Sequence, residues 1–215
     1  MTRRRALMAR VESGGRLPAE YQEVEYLEST GTEYIKTGIE CTSDLAVDFA
    51  FATKTIENKA FCGGINLINA PVYFRHHCSP DVATYTPFYW CQNDSLNNAA
   101  VEYGIMSGKK YEVSINPQTG TAKINATNRS FSPVRSGLTT GKDYGIFARI
   151  ASDNSIQSRP VIIYYFKFYR NNVLIGNFVP CYRKADSKPG MYDLVTRNFY
   201  VNQGTGEFLY GANVN

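Results

Sequence analysis

Val161-Ile162-Ile163-Tyr164-Tyr165-Phe166 is the longest apolar stretch of the 215-residue chain, and its length suits a strand rather than a helix. β-Branched and aromatic side chains fill it, and apolar groups on both faces place such a strand in the middle of two packed layers. Asn171-Asn172 then turns the chain from Val161–Tyr169 into Val173–Phe178, which reads as a hairpin. Outward from this run the pattern has period two. Leu45, Val47, Phe49 and Phe51 alternate with Ala46, Asp48 and Ala50, while Tyr111, Val113 and Ile115 alternate with Glu112, Ser114 and Asn116. Asn116-Pro117-Gln118-Thr119-Gly120 joins the latter strand to Thr121–Asn125 as a second hairpin, and Tyr144, Ile146, Ala148 and Ile150 give a further strand. Such patterning predicts an all-β sandwich.

Composition agrees with that class. Hydrophobic residues at 43% and charged residues at 20% are those of a globular chain, which excludes disorder, collagen and coiled coil. The 16 Tyr and 12 Phe against a single Trp favour half-buried pleated surfaces. A β-rich chain of this length commonly folds as one domain. Between Asn66 and Asn98 the periodicity weakens, and Pro71, Pro80, Pro87, Asp81 and several Asn interrupt the aromatics, so the segment reads as loop-rich.

The formal charge of +4 belongs to the start of the chain. Of 23 bases and 19 acids, Arg3, Arg4, Arg5, Arg10, Arg16 and Glu12 lie within residues 1–16, leaving equal numbers of bases and acids beyond. A neutral body does not build a general nucleic-acid face. Thr2–Glu12 is the one stretch with helical character, Ser13-Gly14-Gly15 reads as a joint, and the two divide the chain into an arm (1–16) and a domain (17–215). The arm's basic opening lacks the apolar core of a signal peptide, since Arg10 and Glu12 cut it short, and no apolar run is long enough for a transmembrane helix. A soluble protein follows as the expectation. Cys41, Cys62, Cys78, Cys91 and Cys181 are odd in number and form no close pairs, so reduced, mostly buried thiols are expected.

Leu17-Pro18-Ala19-Glu20-Tyr21-Gln22-Glu23-Val24-Glu25-Tyr26-Leu27-Glu28-Ser29-Thr30-Gly31-Thr32-Glu33-Tyr34-Ile35-Lys36-Thr37-Gly38 resembles the opening of a family of bacteriophage and prophage proteins. Val179–Lys184, Gly190–Val195 and Phe199–Phe208 resemble that family's closing strands, so the likeness runs in order over roughly residues 17–210. The family is laminin-G-like. The resemblance implies an antiparallel two-sheet jelly-roll sandwich of concanavalin A type in a virion-associated or prophage-encoded protein. In a jelly roll the first and last strands lie close together, and Gly31, Gly38, Gly204 and Gly206 suit bends in the terminal segments.

Catalysis by a sandwich of this kind needs two carboxylates facing one another across a glycosidic bond. Glu23, Glu25 and Glu28 come nearest, but on one continuous strand Glu23 and Glu25 share a face and Glu28 takes the other, and Val47–Phe51 supplies Asp48 alone. Surface carboxylates are the better reading. His76 and His77 point to opposite faces of a strand and do not readily ligate one zinc ion. Asn93-Asp94 with Asn97-Asn98, and Asp153-Asn154, lack EF-hand spacing and read as loop polarity rather than calcium ligands. No metal and no cofactor is expected.

Carbohydrate recognition asks for aromatic faces that stack on sugar C–H surfaces and polar groups that fix hydroxyls. Residues 73–98 hold that mixture, with Tyr73, Tyr85, Tyr89 and Trp90 as platforms and Arg75, His76, Gln92, Asn93 and Asp94 as polar partners. The alternative is that Tyr89 and Trp90 close the core, where adjacent strand residues face opposite ways. In the arm, Leu7, Met8 and Val11 form a small apolar face for docking to a capsid or tail protein, with Arg3, Arg4, Arg5 and Arg10 pairing to acids around the groove. The expectation is a non-enzymatic virion component (capsid decoration, head fibre or tail-associated), made in the bacterial host cytoplasm and displaying a glycan-binding jelly roll. A decoration or fibre subunit without a ligand, and a glycoside hydrolase, are the alternatives. A homo-oligomer stays open, because no heptad run specifies one.

Overall fold

The computed structural model of the protein describes residues 16–54, 60–65, 73–78, 86–93, 98–134 and 136–215. Its strands begin with β1 (Tyr21–Glu23), β2 (Leu27–Thr30), β3 (Ile35–Thr42), β4 (Leu45–Ala52), β5 (Ala60–Ile65), β6 (Tyr73–Cys78) and β7 (Thr86–Asn93). They continue with β8 (Asn98–Ile105), β9 (Tyr111–Asn116), β10 (Thr121–Ile124), β11 (Thr127–Ser130), β12 (Thr139–Ile146) and β13 (Ala148–Ala151). Last come β14 (Ile156–Ser158), β15 (Pro160–Arg170), β16 (Val173–Arg183), β17 (Lys188–Asp193), β18 (Asn198–Val201) and β19 (Leu209–Tyr210). The described residues contain no helix, so the molecule is all-β there; the helical arm expected at 2–12 and its joint at 13–15 lie outside them.

Two sheets result. The larger runs β11-β10-β9-β4-β15-β16-β17-β18, with β1, β2 and β19 attached; the smaller runs β14-β13-β5-β6-β7-β8, with β12 and β3 attached. Among the described residues every pairing is antiparallel except that of β13 with β5. One core joins the sheets: Phe49 stacks on Phe166 at 4.8 Å, Phe51 meets Phe61 of the smaller sheet at 5.0 Å, and Tyr144 meets Phe168 edge-on at 5.0 Å. Each fully buried phenylalanine of this cluster contributes about 1.5–3 kcal/mol by leaving water.

The apolar run sits in β15 and owes its two-faced character to a bulge. Ile163 pairs with Phe51 and Tyr165 with Ala50, so Tyr164 has no opposite residue on β4. An extra residue reverses which parity faces the core. Val161 and Ile163 are buried before the bulge, Phe166 and Phe168 after it, while Tyr164 and Tyr165 are only half-buried. The expected hairpins form at both turns: β9 pairs with β10, and β15 with β16. Asn171 (φ 50°) and Asn172 (φ 62°) occupy the left-handed region that a tight hairpin turn requires and that Asn tolerates.

Beyond Phe166 and Phe178, β15 and β16 part, and the terminal segments fill the fork. β2 pairs with Pro160–Ile163 on the edge of β15 away from β4, and β1 pairs with Cys181–Arg183 on the edge of β16 away from β17. β19 then pairs with β2, and Asn213 bridges Val24. The opening segment, read as one strand, is therefore two strands that belong to different partners, with the chain crossing the fork at Val24–Tyr26. The turn after β2 closes around a carboxylate: Glu33, 1% exposed, accepts hydrogen bonds from the Thr30 amide (2.7 Å) and from the Ser29 (3.0 Å) and Thr30 (2.9 Å) hydroxyls. Gly206, at φ +77°, packs where a side chain would press on Glu33 Oε1.

Two other expectations change. The strand Tyr144–Ile150 breaks at Phe147, whose φ is +69°; β12 ends before it, and β13 leaves on a parallel path beside β5. The loop-rich segment 66–98 contains β6 and β7, which with β8 form a meander continuing the smaller sheet. Its strands lack strict alternation, and prolines and asparagines crowd their ends, so period two is hidden there.

Candidate functional site

The outer face of the larger sheet is built by register. Lys167 pairs with Asp48, Asp48 with Ser114, Ser114 with Lys123, and Lys123 with Asn128, which lines up one residue from each of β15, β4, β9, β10 and β11. With strands about 4.8 Å apart, the row spans roughly 19 Å. The flanking rows, such as Phe168-Val47-Ile115-Ala122, turn to the core, which leaves this one on the opposite face. On β4 the outward positions are small. Ala46 and Ala50 stand beside taller neighbours, with Tyr165 and Glu112 flanking Ala50 and Tyr169 opposite Ala46, so the surface dips along that strand.

A cleft of about 150 Å³ occupies part of the dip, lined by Asp48, Glu112, Val113, Ser114, Lys123, Asn125 and Tyr165. Burial, followed by the nearby Glu112 and Asp48 carboxylates, pushes the Tyr165 phenol up to about 12. Burial, followed by the Asp48 carboxylate, raises Tyr169 as well. Both phenols therefore stay protonated donors at neutral pH. A larger cleft of about 490 Å³ adjoins it toward the sheet edge, lined by Ser114, Thr121, Ala122, Lys123, Asn128, Arg129 and Ser130. Together they offer a ring, hydroxyls, amides, two carboxylates and the Lys123 ammonium on one face, the groups that position a sugar, whereas Arg129 pairs with core-facing Ala122.

The sequence-predicted glycan residues fall on the smaller sheet. Backbone register sets His76 opposite Trp90 and Arg75 opposite Cys91, with Tyr73 opposite Ile65 and Asn93 opposite Asn98. The pairing also aligns His76 with Cys62, a buried residue of the core. Tyr85 and Asp94 lie outside the described residues, as do the arm positions Arg3, Arg4, Arg5, Leu7, Met8, Arg10 and Val11.

The remaining candidates have structural partners. Glu23 is bridged by Arg16 and Glu28 by Lys54, the latter at 2.7 Å. Asp153 caps the Ser155 amide at 2.9 Å, and Asn154 accepts from Lys142 at 2.9 Å, as a turn requires. Cys41, Cys62 and Cys181 are buried thiols; burial pushes Cys181 up to about 12 and Cys41 well above its ordinary value. Among the described residues no group of three His, Cys, Asp or Glu is placed to hold a metal, and no helix is long and apolar enough to cross a membrane.

Sequence reasoning missed the outer face of the larger sheet because its residues are far apart in the chain. The available signal was the outward set of β4, Ala46, Asp48, Ala50 and Ala52, in which one acid stands among alanines. Compared with known proteins, the chain matches no family model and no curated protein.

Proposed function

We propose that this protein is a non-enzymatic display component of a bacteriophage particle, a capsid decoration, head fibre or tail-associated protein, that binds host-surface or environmental glycans. In this reading the two sheets form a concanavalin A-like, laminin-G-like jelly roll, and the N-terminal arm docks it to a capsid or tail protein. The resemblance of residues 17–38, 179–184, 190–195 and 199–208 to phage proteins supports the virion part. The observation that carries glycan binding is the outer-face dip at Tyr165, where a half-buried ring, two carboxylates and an amide line one cleft.

A glycan array probed with the full chain, Tyr165→Ala and Trp90→Ala tests the reading. Selective binding lost in Tyr165→Ala supports the larger sheet as the site, and loss confined to Trp90→Ala moves the site to β7. Absence of binding by folded protein leaves a structural decoration or fibre subunit. The second reading, a glycoside hydrolase, is favoured by Asp48 and Glu112 lining the same cleft. It predicts sugar release from bacterial wall polysaccharide that Glu112→Gln abolishes.

A further inference from the structure

Within the glycan-binding reading, on which this inference rests, Asn125 is the residue of the smaller cleft whose chemistry the fold has fixed. It lines that cleft with Asp48, Glu112, Ser114, Lys123 and Tyr165, and stands just past the end of β10. Its backbone N–H donates to the Glu112 carbonyl at 2.8 Å, and its side-chain Oδ1 accepts from the Glu112 N–H at 2.9 Å. Of the two ends of an amide only the oxygen accepts from an N–H, so the second bond decides which end faces β9. The other end, Nδ2, is a donor and nothing else, and no described residue accepts from it. The φ of 51° at Asn125 is a left-handed value that Asn tolerates, so the clamp sits in the turn into β11.

The cleft thus holds groups that only donate beside groups that only accept. Asn125 Nδ2 and the Lys123 ammonium are donors; the Asp48 and Glu112 carboxylates are acceptors. A ligand group that does both satisfies the two sets at once. A hydroxyl gives its hydrogen to a carboxylate and accepts from the amide through its oxygen. A carboxylate or acyl oxygen only accepts, and would leave Asp48 and Glu112 facing it without a donor. We infer that Asn125 sets the specificity of this site: its Nδ2 donates to a hydroxyl oxygen of a neutral sugar, the hydroxyl hydrogen goes to Asp48 or Glu112, and the sugar ring lies beside Tyr165.

Asn125→Asp separates this role from a structural one. Aspartate keeps an oxygen for the Glu112 N–H and tolerates the same φ, but puts a second acceptor where Nδ2 was. Asn125→Gly keeps the turn and loses both side-chain groups. The parent, both variants and Tyr165→Ala, each as the full chain, are read on an array of neutral and acidic glycans, with melting temperatures measured beside it. The parent is expected to select neutral glycans, and Asn125→Asp to need about tenfold more protein for half-saturation at an unchanged melting temperature. Asn125→Gly is expected to lose binding and to melt lower. Parental binding by Asn125→Asp, selection of acidic glycans by the parent, or a fall in melting temperature as large in Asn125→Asp as in Asn125→Gly overturns the inference. Binding lost in Tyr165→Ala but kept in Asn125→Asp leaves the glycan reading standing without it, whereas a blank array for the folded parent removes both.

Discussion

Glu33 shows what one residue does at a junction. Burial alone pushes its carboxyl up, yet hydrogen bonds from its own backbone, Thr30 and Ser29 outweigh that and hold it below the usual range. A carboxyl whose pKa is lower folded than unfolded stabilises the fold above its unfolded value, and that contribution is lost as pH falls through the folded one. Glu33→Gln replaces an oxygen that accepts these bonds with a donor, and is expected to cost about 1–3 kcal/mol at neutral pH. Urea midpoints of parent and variant should converge through an acid series as the parent's carboxyl protonates. A gap of constant size at every pH would mean that shape rather than charge matters at this position.

At the level of elements, some of the fold is local and legible. Asn116–Gly120 and Asn171-Asn172 announce their hairpins because turn chemistry resides in the turn. The alternation in β4 and β9 is equally plain. The parity switch at Tyr164 is not, since a bulge is set by what lies opposite, and neither is the break at Phe147, a bulky residue with no preference for positive φ. Gly145 makes that break possible, for a Cβ there would collide with the Ala148 carbonyl oxygen. Gly145→Ala is expected to destabilise by about 1–3 kcal/mol, read as a lower urea midpoint at unchanged slope. The outer-face dip was illegible for a related reason: five strands contribute to its central row, and only their register makes neighbours of Asp48, Ser114 and Lys123.

For the whole molecule the fork between β15 and β16 is the organising feature, because both terminal segments complete one sheet there. Removing residues 209–215 takes away β19 and the Asn213 bridge and uncovers one edge of β2. Faster amide hydrogen exchange is expected across 27–30 together with a lower melting temperature, while β9 and β10 keep their protection. Unchanged exchange in β2 would show that β15 alone holds it.

The fork also imposes an order on synthesis. Among the described residues β2 pairs only with β15 and β19, and β1 only with β16, so both leave the ribosome with no hydrogen-bonding partner until β15 and β16 have followed. At roughly 5–20 residues per second that wait lasts several seconds or more. Leu27 and Val24, both buried once the sheet closes, stay exposed meanwhile. Nascent-chain holding factors therefore have a window on this segment that closes only after β15 and β16 have both emerged.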